Sequence, residues 1–112
     1  MGLKERLEAD LKEAMRAREE RRLSAIRMLR HAIGSLEIAR TDRKNPQFGK
    51  PVTEEDLVAA VQKEASQRRE ALQFARQAGR QDLIDKELAE LAFVESYLPK
   101  QLTRDEIRAS NS

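Results

Sequence analysis

Apolar residues return every three or four positions through most of the chain, and nowhere do they alternate as in a strand. Over residues 3–17, Leu3, Leu7, Leu11, Ala14 and Met15 fall on one stripe, with Glu8 and Lys12 spaced as a supporting surface pair. From 21 to about 40, Ile26, Leu29, Ile33 and Leu36 form a seam that Leu23, Met28 and Ile38 broaden. These two helices are expected to join between residues 18 and 21, through a short connection or no more than a kink. Residues 41–52 lose the period and contain Asn45-Pro46, Gly49 and Pro51, which reads as a loop. Thr53 can cap the next helix, with Glu54, Glu55 and Asp56 against its positive end, and Gly79 stops it after about Ala78.

A fourth helix opens around Asp82, carries Ile84, Leu88, Leu91 and Leu98, and ends by Leu98 because Pro99 follows. Thr103 and Glu106 then have the spacing of a capping box. Only about six residues follow, too few for a helix to hold itself. The expected architecture is all-α: an open, irregular bundle of four main helices plus a truncated fifth. It divides into a helical domain over 1–102 and, over 103–112, a tail or the start of a truncated second domain.

Two positions interrupt this pattern. Gly34 sits inside the second helix at a cost of about 1 kcal/mol relative to alanine. A close helix crossing is the expected reason, with a functional kink as the alternative. In the third helix the stripe runs Val58, Val61, Ala65, Leu72 and Ala75, and Arg68 occupies the place of a missing apolar residue. An unpaired arginine there would cost several kcal/mol, so an ion pair is expected, with Glu64 one turn earlier as the nearest partner. The alternative is a guanidinium held rigid for an anionic ligand.

Composition narrows the chemistry. There is no cysteine and one histidine, which excludes disulfides, thiolate zinc sites, iron–sulfur clusters and a cysteine nucleophile. His31 has no second metal ligand or catalytic partner at helical distance. Ser24, Ser35, Ser66 and Ser96 lack a glycine-rich elbow, and four glycines form no phosphate-cradling loop. No apolar run approaches a membrane span or the centre of a signal peptide. No catalytic residue, metal or cofactor is therefore expected, and the cytoplasm is the expected address.

Charge adds a positive feature. The 22 Lys plus Arg and 20 Asp plus Glu nearly cancel, but residues 1–52 hold 13 basic and 8 acidic side chains, net +5, leaving net −3 for the rest. Arginine outnumbers lysine 15 to 7, and its planar fork suits phosphates. Arg22, Arg27 and Arg30 lie on the second helix, and Arg43, Lys44 and Lys50 surround Phe48 in the loop. Gln62, Arg69 and Arg76 lie seven apart on the third helix, flanked by Gln73 and Arg80. A basic loop with an aromatic tip is a phosphate-and-stacking element. A solvated charged helix face is the plainer reading.

Four runs together carry a family resemblance. They are Arg22-Leu23-Ser24 with Ile26-Arg27-Met28-Leu29, then Gln67-Arg68-Arg69-Glu70, Ala78-Gly79-Arg80-Gln81-Asp82-Leu83, and Tyr97-Leu98-Pro99-Lys100-Gln101-Leu102. With them the chain resembles the YqeY proteins of the GatB/YqeY family over residues 3 to about 107. That family is similar to the helical C-terminal region of the B subunit of tRNA-dependent amidotransferase, a carbon–nitrogen ligase with glutamine as amido donor. In that enzyme the helical module and its tail contact tRNA, while the chemistry sits elsewhere. Family members continue into a small second helical domain, so the RNA-contacting tail is not carried over to this sequence. The ATP site and glutaminase nucleophile of an amidotransferase are not visible either.

The resemblance implies a non-catalytic module associated with tRNA. The candidate phosphate contacts are Arg22, Arg27, Arg30, Arg43, Lys44, Lys50, Arg69, Arg76 and Arg80. The alternative is a helical protein–protein adaptor that docks on amidotransferase or synthetase subunits, or on itself, without touching RNA.

Overall fold

The computed structural model describes residues 2–99. It contains α1 (Leu3–Ala17), α2 (Glu20–Ala39), α3 (Glu54–Gln77) and α4 (Gln81–Glu95) and, among the described residues, no strand. The fifth helix and the boundary at 102/103 expected from the sequence lie outside the described residues. None of the described helices is long and apolar enough to cross a membrane.

α1 and α2 form a hairpin rather than a kinked rod. Arg18 adopts a left-handed conformation with φ of 57°. The Glu19 amide donates to the Ala14 carbonyl at 3.0 Å and the Arg18 amide to Met15 at 3.3 Å. That bonding closes the helix and reverses the chain. Lys4 near the start of α1 consequently reaches Glu37 near the end of α2. α3 and α4 form a second hairpin about Gly79, where φ is 66°. The Arg80 amide donates to the Ala75 carbonyl and that of Gly79 to Arg76, both at 3.1 Å. The α3 start carries a capping box: the Asp56 amide donates to the Thr53 hydroxyl, and the Thr53 amide to the Asp56 carboxylate.

α2 is the central element and packs against all three other helices, whereas α1 and α4, among the described residues, do not pack on each other. Its Ala25, Ile26, Leu29 and Ile33 meet Leu3, Leu7 and Ala14 of α1, Leu57, Val61, Ala65 and Leu72 of α3, and Leu91 and Val94 of α4 in one core. Burying each large aliphatic side chain contributes about 1.5–3 kcal/mol, so the shared core binds the two hairpins together.

Three sequence expectations change. Ala14 holds the end of the α1 seam, while Met15, a 100° step round the helix, is 55% exposed. α4 is rotated: Glu87, Glu90, Leu91 and Val94 are buried and Leu88 faces outward, because this phase brings carboxylates to Arg68. Among the described residues no helix packs against Gly34. A Cβ built there meets nothing within 4 Å, and α2 runs unbroken through it.

Candidate nucleic-acid interface

The arginine on the α3 seam does not pair with Glu64. A lysine or arginine one turn from a carboxylate on its own helix makes a surface pair, whereas Arg68 points across the seam to α4. Its Nη1 lies 3.3 Å from Glu87 and 3.9 Å from Glu90. The Ser24 hydroxyl of α2 donates to Glu90 at 3.1 Å, so three helices meet at one polar node. Glu90 is 2% exposed, and the Arg68 Nε is buried with no acceptor among the described residues. This is a structural device, and it removes Arg68 from the surface available to a ligand. Ser24, Glu87 and Glu90 were missed in the sequence. The signal was the spacing 87, 90, 91 and 94, which is a helical stripe with two carboxylates on it.

The nine candidate phosphate contacts divide by what holds them. Arg22 is enclosed by Glu19 at 3.0 Å, Asp10 at 3.5 Å and Glu13 at 3.6 Å. The Glu19 hydrogen bond, then the charges of Glu13 and Asp10, raise its pKa above the ordinary arginine value. Three carboxylates leave it no positive charge to spare, so its role is to lock the α1–α2 hairpin. Arg30 pairs with Glu8 at 2.7 Å, Arg69 with Glu95 at 3.1 Å and Arg80 with Asp82 at 3.1 Å. These pairs are exposed, and such pairs contribute only about 0–1 kcal/mol, so a phosphate can compete for the guanidinium. Arg27, Arg43, Lys44, Lys50 and Arg76 have no carboxylate within 4.0 Å among the described residues.

The loop that carries three of these free cations is organised by local bonds. Asp42 accepts from the Lys44 amide at 2.9 Å and Asn45 from the Gln47 amide at 2.8 Å, side-chain turns that short polar residues favour. The Gly49 amide, at φ of 77°, then returns to the Arg40 carbonyl at 2.9 Å. Arg40 ties the loop to α3 by donating to the carbonyls of Lys50 and Pro51 and to Asp56. The Asp56 pKa is lowered, first by the Thr53 amide and then by Arg40. The result presents Phe48, 48% exposed, among Arg43, Lys44 and Lys50. Ile38, in the last turn of α2 before the loop, is 71% exposed.

Two grooves flank α2. One of about 560 Å³ runs against α1 and is lined by Lys4, Glu8, Arg27, Arg30, His31 and Glu37 among others. The other, about 520 Å³, runs against α3 over Ala32, Ser35, Ala59, Ala60, Lys63 and Glu64. On the other side of α1, Tyr97 is buried and its hydroxyl donates to Asp10. Arg6 lies 5.0 Å over the Tyr97 ring and donates to the Ser96 carbonyl. Burial, and then the bond to Asp10, raise the Tyr97 pKa above the ordinary tyrosine value. This clasp ties the segment after α4 to α1. Among the described residues no group of three or more His, Asp or Glu side chains is placed to hold a metal ion.

A protein-family model described as Yqey-like protein matches residues 4–111, nearly the whole chain. No curated protein matches the sequence.

Proposed function

The chain belongs to the Yqey-like protein family, and on that premise we propose that it is a non-catalytic helical module that associates with tRNA. The observation that supports this most is the tied loop, with Phe48 exposed among three cations that no carboxylate of the described residues neutralises. Free guanidinium and ammonium groups supply phosphate contacts, and an exposed ring supplies a stacking platform. Arg27 and Arg76 extend the set, and Arg30, Arg69 and Arg80 join it when their exposed pairs open. Arg22 is withdrawn from it. The link to tRNA-dependent amidotransferase, and action beside such a carbon–nitrogen ligase in the cytoplasm, rest on the family resemblance.

The test is a titration of tRNA at two salt concentrations. Four or five phosphates neutralised predict that log K falls with log salt at a slope of roughly −3 to −4.5. Changing Arg43, Lys44 and Lys50 to glutamine should reduce the slope by about one for each phosphate left without its cation. Absence of binding at low salt would remove the RNA reading.

One observation favours the adaptor reading: Phe74 is 71% exposed on α3 and Leu88 42% exposed on α4. A partner held there would show salt-insensitive affinity, and Phe74→Ala would weaken it without changing tRNA binding.

A further inference from the structure

The outward stripe of α2 runs Arg27, His31, Gly34 and Ile38, at steps of four, three and four residues. These side chains share one face, and it lies opposite the buried set of Ala25, Ile26, Leu29 and Ile33. His31 lines both flanking grooves, so the stripe forms a ridge between the walls made by α1 and α3. Three carboxylates that line the grooves are already engaged: Glu8 by Arg30, Glu37 by Lys4 and Asp56 by Arg40. Of the acidic groups lining the two grooves, only Glu64 has no cation within 4.0 Å among the described residues. Free positive charge therefore sits at both ends of the ridge, on Arg27 and on the loop, and along one wall, on Lys63.

Gly34 lies at the middle of this ridge. Nothing among the described residues occupies the space its side chain would take, so the cost of a mid-helix glycine is not met by any internal contact. From Arg27 to the loop at Thr41 is 14 residues of rise, about 21 Å. That length accommodates several nucleotides of a strand.

We infer that a single strand of RNA lies along this ridge. One phosphate meets Arg27, the backbone passes His31 and crosses α2 closely over Gly34, and further phosphates meet Arg43 and Lys44. Phe48 receives a stacked base, with Ile38 against its edge. The missing side chain at Gly34 gives the sugar–phosphate chain its close approach. This path rests on the RNA-binding reading above and specifies the surface used. Cations at two separated points with an aromatic platform at one end complement a strand better than they complement an apolar helix.

The experiment uses the full chain and a fluorescein-labelled, unstructured RNA 12-mer, with anisotropy read at low salt and again at higher salt. Gly34→Gln should weaken binding about tenfold, the scale of removing one specific interaction with the nucleic acid. It should melt no lower than wild type, because glutamine is the better helix former. Ser66→Gln, on the exposed side of α3, should change neither. Arg27→Gln should lower the salt slope by about one. If Gly34→Gln binds normally while the triple glutamine variant of Arg43, Lys44 and Lys50 does not, the RNA reading stands and this path is overturned. If Gly34→Gln alters the monomer–dimer balance in sedimentation but not RNA binding, the ridge belongs to a second copy and the path is again overturned. If wild type binds neither the 12-mer nor tRNA, both proposals fall.

Discussion

Replacing Arg68 with methionine should destabilise the chain far more than the loss of one surface-accessible arginine would suggest. The guanidinium is the cation of the α3–α4 seam, 3.3 Å from Glu87 and 3.9 Å from Glu90. Without it, Glu90 keeps only the Ser24 hydroxyl among the described residues, and the two glutamates, Glu87 and Glu90, are 9% and 2% exposed. Breaking one partner out of a buried ion pair costs about 3–5 kcal/mol. The deficit in Arg68→Met should therefore be near ~3–5 kcal/mol, a fall in Tm of about 15–30 °C for a domain of this size. Urea unfolding followed by far-UV circular dichroism measures it. The triple variant Arg68→Met, Glu87→Gln, Glu90→Gln guards against simple failure to fold, because it removes the stranded charges and should recover most of the loss. A deficit below about 1 kcal/mol, or one that the triple variant does not reduce, would refute the reasoning.

Other consequences follow from single residues. Arg18→Gly should stabilise by about 0.5–1 kcal/mol, since glycine adopts the left-handed hairpin position without the clash a Cβ brings; a Tm unchanged or lowered would contradict this. For Tyr97 the folded chain keeps a proton that the unfolded chain releases at about pH 10. Its contribution is whole below that pH and is lost as pH rises above it, by up to about 1.4 kcal/mol per pH unit. Alkaline unfolding of Tyr97→Phe should lack that slope. Thr53→Ala should cost about 1 kcal/mol by removing the hydroxyl half of the α3 capping box, read as a lower midpoint in urea. The pKa values of Asp56 and Asp82 are lowered in the fold, so their contribution is present above about pH 4 and lost as pH falls through that range. Amide exchange at the α3 and α4 N-termini in acid reports it.

Much of the molecule was written in local rules. Thr53 and Gly79 fix the ends of α3 because a hydroxyl acceptor and a residue free to take positive φ act within a few positions of themselves. The loop over residues 41–52 was legible for the same reason. The α1–α2 turn was harder to read, since an arginine, not a glycine, holds the left-handed position. The cations of the loop were offered as phosphate contacts from composition and order alone.

Tertiary structure decided what the charges do. Sequence offers nine basic residues as candidates, but only folding shows that Asp10, Glu13 and Glu19 converge on Arg22 while Arg27 has no carboxylate within 4.0 Å among the described residues. The partner of Arg68 lay 19 and 22 positions away on another helix, and the phase of α4 turned to meet it. Gly34 changed meaning altogether, from a contact inside the bundle to open space on its surface. Hydrophobic period and caps depend on neighbours a turn or two away, and so are visible along the chain. Pairing of charges depends on which faces meet, and that is set by the packing of the whole core.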